Sequence, residues 1–91
     1  MSVGRSDMPE FTVKVYVRRK EGVLDPEGNT IAGAIASIGY KGISSVRTGK
    51  IFIIRLEAPS ADSARKDMEK VADKLLSNPI IEDYTVTVEQ V

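Results

Sequence analysis

Ser44-Ser45-Val46-Arg47-Thr48-Gly49-Lys50-Ile51-Phe52-Ile53-Ile54-Arg55-Leu56-Glu57 is the stretch on which the fold turns. Read as one strand, it places Val46, Phe52, Ile54 and Leu56 on one face, with Gly49 marking a bend or bulge. At ~3.3 Å per residue such a strand spans about 45 Å, beyond the usual ~17–20 Å, so it outruns its own sheet. A hairpin through Gly49-Lys50 stays open as an alternative, but it leaves a first arm almost bare of apolar groups. Ile51-Phe52-Ile53-Ile54 is apolar on both parities, so both sheet faces must be covered there. Helices can cover one face; the other needs a second copy or a partner. Ile51 and Ile53 are thus the expected self-association residues. Arg47, Gly49 and Lys50, at the bend, are the expected contacts to a different partner.

Working outward, Phe11, Val13, Val15 and Val17 alternate with Thr12, Lys14, Tyr16 and Arg18, the pattern of a strand with one buried face. Arg18-Arg19-Lys20-Glu21-Gly22 closes it, and residues 1–10 read as a flexible extension. Asp25-Pro26 is a helix start: the Asp oxygen satisfies an orphan amide, and Pro has none to satisfy. Ile31, Ala34, Ile35 and Ile38 follow at helical spacing, Gly39 suits the C′ position, and Gly28 and Gly33 weaken the interior. Ser60 caps a second helix whose stripe is Ala61, Ala64, Met68, Val71 and Leu75, widened by Ala72 and Leu76. Asn78-Pro79 stops it, and 81–91 alternates as a last strand. The expectation is one α+β domain over 11–91. It is a two-layer β-α-β-α-β plan: a three-stranded sheet with two helices on one face, a long bent central strand, and the other sheet face in oligomer contact.

Composition narrows the chemistry. Thirteen Lys/Arg balance thirteen Asp/Glu, which argues against a general nucleic-acid binder. The chain has no Cys and no His, so thiolate nucleophiles, the commonest general base and the commonest metal ligands are missing together. MSVGRSDMPE carries no apolar signal-peptide core, and no apolar run nears the roughly 20 residues of a membrane span. A cytoplasmic location away from membranes is expected.

The remaining motifs yield structural readings. Thr48-Gly49-Lys50 resembles the end of a phosphate loop, but Ser44 stands where Gly is needed, Ile51 stands where Ser or Thr would hold magnesium, and no helix follows. Glu82 and Asp83 are adjacent on a strand, so they point to opposite faces and cannot flank one substrate. Arg18-Arg19-Lys20 reads as a charged strand end that blocks edge aggregation, with contact to phosphate or an acidic partner as the alternative. The stripe on the second helix covers barely two heptads, too little for a coiled coil. No catalytic, cofactor or metal residues are assigned.

Val23-Leu24-Asp25-Pro26-Glu27-Gly28, then Val46-Arg47-Thr48-Gly49-Lys50, then Asn78-Pro79-Ile80-Ile81-Glu82-Asp83-Tyr84 occur in that order. In this the chain resembles the PurS family, the small subunits of phosphoribosylformylglycinamidine synthase in purine biosynthesis. The resemblance spans Phe11 to Val91. It implies a non-catalytic subunit, itself a dimer or tetramer, that bridges a synthetase subunit (PurL) and a glutaminase subunit (PurQ) and supports ammonia transfer between them. ATP and glutamine would be handled by those partners. Two other readings remain: an ACT-like amino-acid-sensing domain with a ligand loop at 39–42, and a dimeric α+β barrel enzyme. The apolar inward positions speak against the second.

Overall fold

The computed structural model describes residues 8–91. β1 (Glu10–Arg19), β2 (Gly49–Glu57) and β3 (Glu82–Gln90) form one antiparallel sheet in the order β2-β1-β3. The central strand is therefore β1, and β2 lies at an edge, a correction to the expected central position of the second strand. Phe11, Val13, Val15 and Val17 are 0–3% exposed because β1 has a strand on either side and a helix above. Beside them on the same face stand Phe52, Ile54 and Leu56 of β2 and Tyr84, Val86 and Val88 of β3.

β2 is also shorter than expected. Residues 40–48 carry no regular structure, and the strand begins at Gly49, opposite Arg18. Pairing proceeds residue for residue from there to Glu57, so no bulge interrupts it. β1 starts at Glu10: the Pro9 carbonyl accepts from Ala58 N–H and the Glu10 carbonyl from Val91 N–H. Of the flexible extension expected over residues 1–10, residues 1–7 lie outside the described residues.

α2 (Ala61–Val71) crosses from β2 to β3 and packs on β1 and β3, closing a split β-α-β unit. Ser60 Oγ accepts from Ser63 N–H at 3.1 Å and caps it, as the sequence indicates. Ala64 and Ala72 are fully buried, and Met68 and Leu76 join the same cluster, whereas Leu75 is 76% exposed. The cause is a π-helical turn, Ala72–Leu76, in which Ser77 N–H reaches the Ala72 carbonyl at 2.9 Å. One extra residue in that turn holds positions 64, 68, 72 and 76 on one side.

α1 (Pro26–Ser37) departs furthest from expectation. It does not pack on the helical face of the sheet as α2 does; among the described residues that face is covered by α2 and the π-helical turn that continues it. Gly28 is its one buried residue, and the described chain measures 55 × 28 × 21 Å. The radius of gyration of 17.7 Å exceeds the about 12 Å of a compact chain this long. The helix ends as its sequence dictates: Gly39 has φ +101°, Gly39 N–H bonds the Ala36 carbonyl, and Tyr40 N–H bonds that of Ile35. These are the paired bonds of a Schellman cap, which need a left-handed residue at C′.

Candidate functional site

The residues singled out around Gly49 meet the end of β1 and the start of β3. A cleft of about 470 Å³ opens there, lined by Tyr16, Val17 and Arg18 of β1, Arg47 to Ile51, and Thr85 of β3. Arg47, Gly49, Lys50 and Ile51 are thus brought together, while Ile53 lies further along the open sheet face opposite Lys14.

Arg47 is positioned differently from expectation. It is not on a strand, and its guanidinium donates to the Lys20 carbonyl at 2.9 Å, tying the approach to β2 onto the end of β1. Arg18 donates to Thr85 Oγ1 at 3.1 Å and Arg19 to the Leu24 carbonyl at 3.1 Å. Gly49 is needed for close approach, since a Cβ there would stand 2.5 Å from the Val17 carbonyl oxygen. The carboxylates at the start of β3 separate as their alternation requires. Glu82 accepts from Asn78 N–H at 2.7 Å and closes the turn before the strand, and Asp83 is exposed opposite Arg18.

Beneath this rim sits Asp25, 2% exposed. It caps α1 through Gly28 N–H at 2.9 Å, and it also accepts Thr48 N–H at 2.7 Å and the Thr48 hydroxyl at 2.9 and 3.0 Å. The capping role is legible in Asp25-Pro26. The second role, clamping the chain 23 residues on, is not. The Thr48 N–H, then the Gly28 N–H, lower the Asp25 carboxyl from 3.8 to about 2, against the opposing effect of burial. The Thr48 hydroxyl and the Arg47 charge add to the lowering.

A carboxyl depressed on folding stabilises the native state above its ordinary value of 3.8 and stops doing so as pH falls through about 2. Asp25→Asn is therefore expected to melt below the wild type at neutral pH. The gap should narrow between pH 3.8 and about 2. Parallel thermal melts across that range check this; a gap constant with pH would show that the charge is not what the clamp uses.

Two apolar surfaces remain open. On the face away from α2, Tyr16, Ile51 and Ile53 are 43%, 46% and 63% exposed. Along α1 and the segment after it, Ile31, Ile38, Tyr40 and Ile43 are exposed as well. The two-sided apolar run thus leaves its second face uncovered within the chain, as its pattern implies. Among the described residues no group of three or more carboxylates has metal-binding geometry, and no helix is long and apolar enough to cross a membrane.

The family model for PurS, phosphoribosylformylglycinamidine (FGAM) synthase, matches residues 12–90. The chain belongs to the PurS family. The phosphoribosylformylglycinamidine synthase subunit PurS of Archaeoglobus fulgidus is 40% identical over 72 residues, covering 79% of this chain and 90% of that one. The crystal structure of PurS from Methanocaldococcus jannaschii, one of the subunits of formylglycinamide ribonucleotide amidotransferase, superposes with a TM-score of 0.80 at 33% identity. It covers 89% of this chain and 98% of its own. A chain in the structure of PurLQS from Thermotoga maritima gives 0.79 at 28% identity, covering 92% and 100%. The function is that of the PurS subunit of phosphoribosylformylglycinamidine synthase. These relatives leave the ACT-like reading without support.

Proposed function

We propose that this subunit couples rather than catalyses: it self-associates as a dimer or tetramer and holds a PurL-type synthetase and a PurQ-type glutaminase together. Ammonia released by the second then reaches the first. ATP and glutamine are bound by those partners, and the assembly works in the cytoplasm, away from membranes and nucleic acid. The observation that carries this is the match to the whole of the PurS chain of PurLQS, in a protomer that leaves two apolar surfaces uncovered. Contiguous exposed apolar patches on a small soluble domain mark interaction sites. Holding two active sites in one particle raises the effective concentration of an intermediate without new chemistry.

The test is reconstitution with and without this chain. Omitting it should lower glutamine-dependent synthesis at least about tenfold, a floor below the roughly 10²–10⁴ that linking two sites can provide. Synthesis from added ammonium salt should stay unchanged, because that route needs no delivery. Equal glutamine-dependent rates in both mixtures would refute the coupling role.

A further inference from the structure

We propose that the cleft at the β1–β2–β3 end is a docking site for an acidic segment of a partner subunit. This rests on the coupling role and names the chemistry of one contact within it. The cleft lining holds three cations, Arg18, Arg47 and Lys50, and no carboxylate. Among the described residues, the ion pairs are Arg55–Glu10 and Lys66–Asp62, so none of the three is in an ion pair, although Asp83 faces Arg18 across the ladder and Arg47 feels the Asp25 carboxylate.

Two of these cations are already held in place. Arg18 is held by Thr85 and Arg47 by the Lys20 carbonyl, each bond using one nitrogen of a five-donor fork. Remaining donors are left for a carboxylate, and part of the ordering of the side chain is done before the partner arrives. The apolar part of the lining, Tyr16 and Ile51 at the rim of the open sheet face, suits the aliphatic stem of a Glu or a neighbouring apolar side chain.

The surroundings favour a peptide over other anions. A phosphate site gathers backbone N–H groups, but Thr48 N–H and its hydroxyl are both taken by Asp25. Glu27 and Glu82 line the adjoining hollow, and Glu21 and Asp83 stand beside Arg18 and Arg47 on another side. A nucleic acid, with a charge every ~1.7 Å, would run across those carboxylates. A short acidic segment would not, and the flanking acids reject wrong registers.

The experiment uses Lys50→Glu, Arg18→Glu and the double variant, each checked by circular dichroism and light scattering for unchanged fold and mass. Binding to immobilised synthetase and glutaminase subunits is measured separately, at low and high salt. Each reversal should weaken binding to one of the two roughly tenfold, chiefly through slower association, with wild type and variants converging at high salt. An oligoglutamate peptide should compete with that subunit for the wild type, while inorganic phosphate should not. Reversals that bind within twofold of the wild type would overturn the proposal, as would competition by phosphate but not by oligoglutamate. A wild type that binds neither subunit would instead refute the coupling role, and this proposal with it.

Discussion

Ile53→Asp is expected to leave the protomer folded and to abolish its self-association. In the single chain Ile53 is 63% exposed, so a carboxylate there stays in water. It would also face Lys14 across the β1–β2 ladder, a pairing that favours the protomer by about 0.2–1 kcal/mol. In an assembly that covers this face, the same carboxylate loses its water. Burying an ion costs several kcal/mol even when partly paired, and a two-fold interface repeats the cost in both copies. Self-association should weaken at least about a hundredfold, since each 1.4 kcal/mol is a factor of ten. Light scattering should then give the protomer mass with an unchanged circular dichroism spectrum. An oligomer of wild-type mass would show that the open sheet face is not the interface and would leave α1 as the surface to test.

Two glycines of α1 should respond in opposite directions. Gly28→Val is expected to break the packing of α1 on Val46, because its Cβ would overlap the Val46 carbonyl. Overpacking costs about 1–3 kcal/mol where side chains can turn aside, and a carbonyl held beside the Asp25–Thr48 bonds cannot. A loss at or above that range should appear in thermal melts, with Thr48 losing its amide-exchange protection. Gly33→Ala meets nothing within 4 Å and sits at an ordinary helical position, so it should stabilise by about 0.5–1 kcal/mol. If both substitutions shift stability the same way, the close packing of α1 on Val46 is wrong.

Those glycines also show where the sequence stops being legible. Helix propensity treats Gly28 and Gly33 alike, as weak points; only the approach of a backbone 18 residues away separates them. Features set by neighbouring residues are readable from the chain: the Val alternation of β1, Asp25-Pro26, Gly39 at C′, Ser60 and Asn78-Pro79. Each records a local demand for burial, a capped amide or a left-handed turn. What depends on distant pairing is not readable. Parity puts Phe52 and Ile54 on one face but cannot say that β1 lies between β2 and β3. Thr48 carries no mark of its bond to Asp25, nor Arg47 of its hold on Lys20. The stripe of α1, Ile31, Ile35 and Ile38, announces an apolar face without saying what covers it, and the supposition that the sheet does so fails. At the cleft, the sequence picks out Arg47, Gly49 and Lys50 and marks Arg18 only within a charged strand end, while Thr85 goes unmarked and joins it through the antiparallel pairing of β1 with β3.

The loosely anchored α1 bears on how an unassembled copy differs from an assembled one. A twelve-residue helix is near the lower limit of what persists in water unaided, and this one is anchored chiefly at Asp25, Gly28 and their contacts. Its opening therefore takes far less free energy than opening the sheet. Copies still waiting for partners repeatedly expose residues 26–48 as an extended, cleavable strand, and copies in an assembly that covers α1 do not. An assembly that covers α1 therefore closes the stretch of the protomer that opens most readily to a protease.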